Sequence, residues 1–264
     1  MALRRHIPRK RFGQHFLVDD EVIGRIVAAI DPRPGEHLVE IGPGLGALTA
    51  PLLDRIEHLD VVELDRDLAG RLRERYPPER LAVHVADALR FDFSTLPAPL
   101  RVVGNLPYNI STPLLFHLAA VAPRCADLHF MLQQEVVERM VAKPSGPEYG
   151  RLSVMLQYRF HLERLFTVAP EAFRPPPKVR SAVVRLVPRP ILELEAQDEA
   201  EFSAVVTRAF SMRRKTLRNA LADLLSESEL RELGIDPGAR AEALPVAAYV
   251  TIANRVPRSP RSRT

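Results

Sequence analysis

Four short apolar runs constrain the fold of this chain most strongly, because each of them ends in glycine or polar residues. The runs are His37–Ile41, Leu59–Val62, Leu81–Val85 and Leu100–Val103. Runs of this length predict buried strands, and helical stretches between them, such as Asp67–Arg75, permit parallel pairing of consecutive strands. The alternation therefore predicts an α/β fold built on a doubly wound sheet.

The ends of the first three predicted strands carry groups that suit a nucleoside. The first strand leads into Gly42-Pro43-Gly44-Leu45-Gly46, a turn in which the absence of Cβ atoms lets the backbone approach a ligand. Glu63, about twenty residues after the turn, can accept hydrogen bonds from both ribose hydroxyls, and Asp87 beside Ala88 can accept from an adenine amine. Helix capping is the alternative for each acid alone, and the spacing is not the G-x-G-x-x-G of dinucleotide folds. The series of three strand ends predicts a nucleoside site.

The fourth predicted strand leads into Gly104-Asn105-Leu106-Pro107-Tyr108, a turn with three groups able to hold a base. Asn105 offers an amide acceptor and donor, and the carbonyl of Leu106 precedes a proline that has no N–H. Tyr108 supplies a flat ring for stacking. These groups could bind the exocyclic amine of an extruded base. A proline turn with a locally bonded Asn and a packing Tyr is the alternative interpretation.

The second half of the chain completes the predicted sheet. Asp127–Leu132 is predicted as a fifth strand, and Leu165–Val168 with Ala182–Val187 as an antiparallel hairpin at one edge. Between the two hairpin strands, the extended loop Phe173–Lys178 carries an aromatic ring and two cations. Phe173 either contacts a base or is buried beneath a stiff connector, and the sequence leaves both interpretations open.

Pro188 and Pro190 mark a predicted domain boundary, after which the sequence pattern becomes helical. Val205, Phe210 and Leu221 belong to one apolar helical face of this part. We therefore expect three parts: residues 1–188 as the sheet domain with a basic leader, residues 189–254 as a small all-α domain, and residues 255–264 as a disordered basic tail.

The net charge is only +4, but the cations are unevenly distributed. No acid lies between Glu201 and Asp223, whereas a solvated helix face would normally mix charges of both signs. The distribution predicts contact with the phosphates of a polyanion. The cations concerned are Arg9, Lys10 and Arg11 in the leader, and Arg208, Arg213, Arg214, Lys215 and Arg218 in the helical part.

Composition excludes several other classes of protein. Cys125 is the single cysteine, so an intramolecular disulfide framework and a Cys-rich zinc site are both excluded. No apolar run reaches the length of a membrane span, and the basic leader lacks the apolar core of a secretory signal. No cluster of ligand residues predicts a metal. We expect a cytoplasmic protein, monomeric by default because no oligomer signal is evident.

With these motifs in order, the chain resembles the ribosomal RNA adenine dimethylase family, and specifically its bacterial branch that acts on small-subunit RNA. Several motifs in one order are far more specific than any one of them. The matching motifs are Phe12–Leu17, Glu40–Gly46, Glu63–Asp65, Asp87-Ala88, Asn105–Ser111, Phe173–Val184 and Phe210–Thr216.

The resemblance implies a Rossmann-like doubly wound methyltransferase sheet with an antiparallel edge hairpin and a small all-α C-terminal domain. It also implies S-adenosyl-L-methionine as cofactor. The implied reaction places two methyl groups on N6 of each of two adjacent adenosines near the 3′ end of small-subunit (16S) ribosomal RNA. The implied partner is this RNA in a pre-30S or 30S particle.

The resemblance also implies roles for individual residues. The cofactor would be bound by Gly42, Gly44, Glu63, Asp87, Ala88 and Asn105, with His15 and Leu17 covering it from the amino-terminal side. Asn105 and the carbonyl of Leu106 would hold the target N6. Tyr108 would stack on the target base, with Phe173 on its other face. Many relatives have Asn where this chain has His15.

Three other functions compete with this interpretation. A nicotinamide-dependent oxidoreductase also uses a glycine turn and a strand-end acid, although the spacing of the glycines argues against it. An antibiotic-resistance methylase acting on large-subunit RNA shares the family motifs. A ribosome assembly factor that acts mainly by binding would use the same surface.

Overall fold

The computed structural model describes residues 14–190, 194–212 and 214–256 of the chain. These residues form two compact units. The first contains the chain up to Val137 together with His161–Pro188, and the second contains Glu138–Phe160 together with the chain from Arg189 onward. The second unit therefore includes a segment that precedes the boundary predicted at residue 188.

Nine strands are described, and seven of them form one sheet in the order β4-β3-β2-β5-β6-β9-β7. Strands β1 and β8 form a separate antiparallel pair in which Leu17 lies opposite Phe173. In chain order the strands are β1 Phe16–Leu17, β2 His37–Ile41, β3 Leu59–Glu63, β4 Leu81–Val85, β5 Leu100–Asn105, β6 Cys125–Gln133, β7 Phe160–Val168, β8 Phe173–Arg174 and β9 Ser181–Pro188.

The large sheet is doubly wound. Strand β2 pairs in parallel with β3 on one side and with β5 on the other, and β3–β4 and β5–β6 are also parallel. Strand β9 then pairs antiparallel with β6, and β7 lies at the edge. The predicted fold class, including the two-stranded edge, is confirmed. The strand order reverses between β2 and β5, because β3 and β4 follow β2 toward one edge of the sheet and β5 and β6 lie toward the other. Doubly wound sheets bind ligands in the crevice at this point.

The helices, again in chain order, follow from capping and apolar spacing. Asp19 accepts from the N–H groups of Glu21 and Val22 and so begins the first helix, whose buried face includes Ile26 and Ile30. The helices are α1 Asp20–Ile30, α2 Thr49–Leu53, α3 Arg66–Arg75, α4 Ser111–Ala120, α5 Gln134–Val141, α6 Arg151–Arg159, α7 Glu199–Ser211, α8 Leu217–Ala220, α9 Glu227–Glu232 and α10 Val246–Arg255.

A buried guanidinium fixes the end of α1 to the amino edge of the sheet. Arg101 on β5 donates from Nε and Nη2 to both carboxylate oxygens of Asp127 on β6, each at 2.9 Å. It also donates to Glu36 Oε2 and to the backbone carbonyl of Ile30. A bidentate pair of this kind imposes direction as well as attraction. The segment from β1 through α1 is thereby anchored at one end.

The second unit is helical, and its apolar core includes Phe202, Val206, Leu221 and Tyr249. The single apolar face predicted to contain Val205, Phe210 and Leu221 is divided, because α7 ends at Ser211 and α8 begins at Leu217. The break is stabilised over a long range: the N–H groups of Leu217 and Arg218 donate to the carbonyls of Ala239 and Pro237. Within the described ranges, no helix is long and apolar enough to cross a membrane.

Candidate active site

A cavity opens at the carboxyl ends of the parallel strands, within the first unit. Its lining comes from Gln14–Leu17, the turn after β2, the ends of β3 and β4, and the turn after β5. The structure brings together ten of the residues predicted from the sequence. They are His15, Leu17, Gly42, Gly44, Glu63, Asp87, Ala88, Asn105, Leu106 and Tyr108.

The glycine turn after β2 lines one side of the cavity. Gly42 and Gly44 have φ values of 68° and 59°, in the left-handed region that side chains disfavour. A Cβ on Gly44 would lie 3.2 Å from the ring of Phe16 on β1. The turn therefore needs glycine both for its backbone conformation and for the close approach of the amino-terminal segment.

Glu63 is held at the end of β3 by backbone donors. Its Oε1 accepts from the N–H of Asp65 at 2.8 Å, and its Oε2 accepts from the N–H of Gly44 at 3.2 Å. The side chain is buried, and burial raises the pKa of its carboxyl although these hydrogen bonds oppose the shift. With both oxygens oriented and each retaining lone-pair capacity, the carboxylate suits a pair of vicinal hydroxyls.

A second buried carboxyl lines the same side of the cavity and was not predicted as a site residue. Glu40, the fourth residue of β2, accepts a 2.6 Å hydrogen bond from Thr49 Oγ1. Burial raises the pKa of Glu40 to about 7; the Thr49 hydrogen bond opposes this shift, and nearby Glu63 adds to it. The sequence signal was an acid inside an apolar strand, immediately before the glycine turn. This side of the cavity therefore favours a cationic ligand.

Asp87 and Ala88 form the end of the next strand. Asp87 Oδ1 accepts from the N–H of Leu89 at 3.0 Å, which stabilises the turn after β4. This bond uses one oxygen and leaves lone-pair capacity on the carboxylate for an amine. Ala88 is buried beside it, so its small side chain leaves room in the lining.

The turn after β5 forms the opposite side of the cavity. Asn105 Nδ2 donates to the backbone carbonyl of His15 at 3.1 Å, so its Oδ1 is the amide atom that remains to accept from a substrate. Leu106 is buried, and its N–H donates to the carbonyl of Met131 on β6. A Cβ on Gly104 would lie 2.5 Å from the carbonyl oxygen of Ile41, so only glycine permits this approach of β5 to β2.

Tyr108 is half-buried at the end of this turn, and its ring position is fixed. Its hydroxyl lies 2.6 Å from Ser181 Oγ, and Ser181 is fully buried at the start of β9. The ring stacks with the imidazole of His15, with 5.8 Å between ring centroids and 26° between planes. His15 Nδ1 in turn lies 2.8 Å from the backbone carbonyl of Pro175.

The position of Phe173 differs from the one that the family resemblance implies, which is on the other face of the target base. It has no exposed surface and packs in the sheet core with Leu17, its partner in the β1–β8 pair. It does not lie among the residues that line the cavity. The buried-connector interpretation therefore holds in this structure, because pairing with β1 turns the ring into the core, and Phe173 is not placed to stack on a base.

Four of the eight predicted RNA-contacting cations lie within the described residues. Arg9, Lys10, Arg11 and Arg213 lie outside the described residues. Arg214 and Lys215 are exposed in the segment between α7 and α8. Arg208 pairs with Asp223, and Arg218 lies 3.6 Å from Glu227. In the folded protein, Arg208 and Arg218 of the acid-free stretch therefore lie beside acidic side chains.

No group of three or more His, Cys, Asp or Glu side chains is arranged to hold a metal ion among residues 14–190, 194–212 and 214–256. One side of the cavity carries the carboxyls of Glu40, Glu63 and Asp87. The other side carries the amide of Asn105, the carbonyl of Leu106 and the ring of Tyr108. This combination can orient a ribose, a purine and an amine, and needs no titrating base to do so.

Comparison with known proteins agrees with this geometry. A family model described as ribosomal RNA adenine dimethylase matches residues 5–257. A protein named ribosomal RNA small subunit methyltransferase A from Thiobacillus denitrificans is 63% identical over 247 residues, covering 94% of this chain and 97% of the relative. The protein of the same name from Aromatoleum aromaticum is 62% identical over 258 residues, covering 97% of each chain.

Solved structures are similar as well. A dimethyladenosine transferase from Plasmodium falciparum superposes with a TM-score of 0.79 at 23% identity, over 90% of this chain and 96% of the other, and this shows a shared fold. The 23S rRNA methyltransferase ErmE superposes with a TM-score of 0.70 at 28% identity, over 91% of this chain and 99% of the other.

Proposed function

The chain belongs to the ribosomal RNA adenine dimethylase family and is a methyltransferase, and from this premise we propose its substrate, cofactor and site. It transfers methyl groups from S-adenosyl-L-methionine to N6 of two adjacent adenosines near the 3′ end of 16S ribosomal RNA. The supporting observation is that strand-end acids and the Asn105–Tyr108 turn face one cavity. High identity to small-subunit methyltransferases favours this substrate over the large-subunit RNA of the more distant ErmE.

The cavity residues fit S-adenosyl-L-methionine. Glu63 would accept from the ribose hydroxyls, Asp87 and the Ala88 N–H would meet the adenine, and the turn at Gly42 and Gly44 would receive the methionine part. The buried carboxyls of Glu40 and Glu63 suit a positively charged ligand. Leu17 and His15 close the cavity on the amino-terminal side. When bound, this cofactor supplies a methyl group already activated by a positive sulfur.

The acceptor turn then positions the target amine. Asn105 Oδ1 and the Leu106 carbonyl accept hydrogen bonds from the N6–H groups, which directs the nitrogen lone pair toward the side of the cavity formed by the ends of β2, β3 and β4. Tyr108, fixed through Ser181, stacks on the base and holds its plane. The amine needs no prior deprotonation, since its proton becomes acidic only after the methyl group is attached.

We also propose that residues 1–188 act as the methyltransferase domain and residues 189–254 as a small domain that contacts RNA, with the chain acting as a cytoplasmic monomer on a pre-30S or 30S particle. Arg214 and Lys215 are exposed and would meet phosphates. Replacing both with Ser should lower affinity for small subunits and reduce the salt slope of binding by about one to two. An unchanged slope would show that this segment faces elsewhere.

Transfer of labelled methyl from S-adenosyl-L-methionine tests the proposal. Under-methylated small subunits, large subunits and duplex DNA are offered in parallel, and the products are digested to nucleosides. Dimethyladenosine from small subunits alone is expected. Transfer to large subunits instead would assign the chain to the other branch, and cofactor binding without transfer to any substrate would favour a role in assembly by binding.

A further inference from the structure

We infer that His15 forms the second aromatic wall of the target-base site, so that the acceptor adenine lies between the imidazole of His15 and the ring of Tyr108. This inference rests on the proposed function and adds a specificity-determining contact to it. It assigns the His15 ring to the substrate, where the family resemblance implies only a cover over the cofactor.

The geometry of the two rings is that of a closed clamp. Their planes are within 26° of parallel and their centroids are 5.8 Å apart. A base held between two rings needs roughly 7 Å, twice the stacking distance of about 3.4 Å per base along one strand. The rings are therefore already aligned, and a small outward shift of one ring admits the base.

The contacts of the two rings show which one can move. Tyr108 is bonded through its hydroxyl to Ser181, which is fully buried in the sheet. His15 is held at the surface of the cavity by its Nδ1, which must be the donor because its partner is the carbonyl of Pro175. Tyr108 is thus the fixed wall, and His15 is the wall that adjusts.

The backbone of His15 ties this ring to the side of the cavity formed by the turn after β5. Its carbonyl accepts from Asn105 Nδ2, the amide group of the residue proposed to bind the target amine. His15 therefore contacts Asn105, Tyr108 and Pro175. A residue whose contacts lie on this side is placed to meet the base.

The other candidate for a second ring does not reach the cavity. Phe173 is fully buried in the core and paired with Leu17. The same antiparallel pairing, with Phe16 opposite Arg174, carries the next residue on each strand toward the other and so brings His15 to Pro175. The register of the β1–β8 pair therefore both buries Phe173 and places His15 beside Pro175.

The loop that holds His15 is also suited to RNA. Arg174, Lys178 and Arg180 are exposed on it, and residues 172–180 include no acid. Phosphates on either side of an extruded adenosine would be attracted to this edge of the cavity. The RNA strand would then deliver its base to the side where the two rings stand.

The test compares His15→Ala with His15→Phe, which restores a ring, and with His37→Ala as a matched control. His37 is an exposed histidine at the amino end of β2, whereas the cavity lies at the carboxyl ends of the strands. Calorimetry gives the Kd for S-adenosyl-L-methionine, and methyl transfer to under-methylated small subunits gives kcat and KM. His15→Ala should lower kcat/KM for small subunits by about 5- to 140-fold, the equivalent of the ~1–3 kcal/mol that base–aromatic stacking contributes. Its cofactor Kd should change by less than about threefold, because the ring is assigned to the base.

Recovery of most of the lost kcat/KM in His15→Phe, with His37→Ala unchanged, would support the clamp. Weaker cofactor binding in His15→Ala with unchanged kcat at saturation would overturn it in favour of a cofactor cover. Faster transfer by His15→Ala would also overturn it, because the imidazole would then obstruct the base. Absence of transfer by the wild-type chain would instead contradict the proposed function, so the two failures are distinguishable.

Discussion

The two sides of the cavity are assembled from contacts of very different sequence separation. On the side of β2, β3 and β4, here called the cofactor side, Glu63 bonds to residues 2 and 19 positions away, and Glu40 bonds to Thr49 nine positions away. On the side of the Asn105–Tyr108 turn, here called the acceptor side, the corresponding separations are 90, 73 and 160. The cofactor side is thus set by strand ends and adjacent turns, and the acceptor side by the assembled tertiary structure.

This difference has a functional consequence. Backbone N–H groups of adjacent turns hold the carboxylates of Glu63 and Asp87, and the Thr49 hydroxyl holds that of Glu40, so the cofactor side is preorganised wherever the parallel strands form. The acceptor side needs three distant segments to meet, around residues 15, 105–108 and 175–181. Substitutions on one side should therefore affect one ligand, and the following predictions test that separation.

The largest expected effect is that of Asn105→Ala on the chemical step. Removing Oδ1 removes an acceptor for the target amine, and removing Nδ2 releases the His15 carbonyl. Single-turnover methyl transfer should fall by about 100- to 1000-fold, the range for loss of one positioned hydrogen-bonding group at a reacting centre. The cofactor Kd, measured on the same preparation, should change by only about threefold. Unimpaired transfer would remove Asn105 from the acceptor role.

Glu63→Gln should act on the other side of the cavity. Glutamine keeps the shape of the side chain but has an amide NH2 group in place of one acceptor oxygen and carries no charge. Hydrogen bonds to charged groups are worth ~1.5–3 kcal/mol. The cofactor Kd should rise by about 10- to 150-fold while kcat at saturating cofactor stays within about threefold. Glu74→Gln, an exposed carboxyl on α3, is the matched control. A large fall in kcat with an unchanged Kd would break the division between the two sides.

Glu40 should make the stability of the unliganded protein depend on pH. Burial raises the pKa of its carboxyl from 4.5 to about 7, so the folded protein binds more protons than the unfolded chain between these values. Its contribution to the free energy of unfolding is therefore full below pH 4.5 and is lost as the pH rises through about 7. The loss should amount to roughly 3 kcal/mol at high pH, because each pKa unit is worth about 1.4 kcal/mol.

Urea unfolding of the wild-type chain and of Glu40→Gln, each at pH 5 and pH 8.5, isolates this contribution. Glu40→Gln should gain stability relative to the wild type as the pH rises. The difference between the two proteins is the informative quantity, because buried His129 titrates in both: burial lowers its pKa to about 4. Parallel pH dependences in the two proteins would show that Glu40 ionises freely.

Tyr108→Phe should give the smallest effect. It removes the hydrogen bond to Ser181 but keeps the ring, and a single neutral hydrogen bond is worth ~1 kcal/mol. Transfer should fall by about fivefold, with cofactor affinity unchanged. Ser181→Ala should reproduce this fall, and the double variant should be no worse than either single one if the bond acts only by fixing the ring. Additive losses would indicate separate roles.

The same contrast explains what the sequence could predict. Glu63 and Asp87 were identifiable because a polar residue directly after a buried strand must lie at the carboxyl edge of a parallel sheet. The positions of the strands and the antiparallel edge also follow from local patterns. In each case the information lies within a few residues of the feature, so one sequence is sufficient.

The acceptor side shows where local patterns fail. Asn105 and Tyr108 were identifiable by type, but their partners His15 and Ser181 lie in segments brought together only by the whole sheet. Phe173 is buried because it faces β1, a pairing that no local signal reveals.

The cationic stretch of the second unit shows the same limit. Its acid-free sequence predicted an uncompensated positive face, yet Arg208 and Arg218 lie beside Asp223 and Glu227. Both acids lie beyond the stretch in sequence, and the break between α7 and α8 depends on contacts with residues 237 and 239. Contacts over such distances are set by folding as a whole.

Hydrogen–deuterium exchange of the wild-type protein, with and without S-adenosyl-L-methionine, tests the central claim most directly. The N–H groups of Gly44 and Asp65 bond to Glu63, and that of Leu89 bonds to Asp87. A ligand on these carboxylates should slow exchange at all three strand ends and leave α7 of the second unit unchanged. Unchanged exchange at the strand ends, with slowing elsewhere in the chain, would contradict the assignment of this cavity to the cofactor.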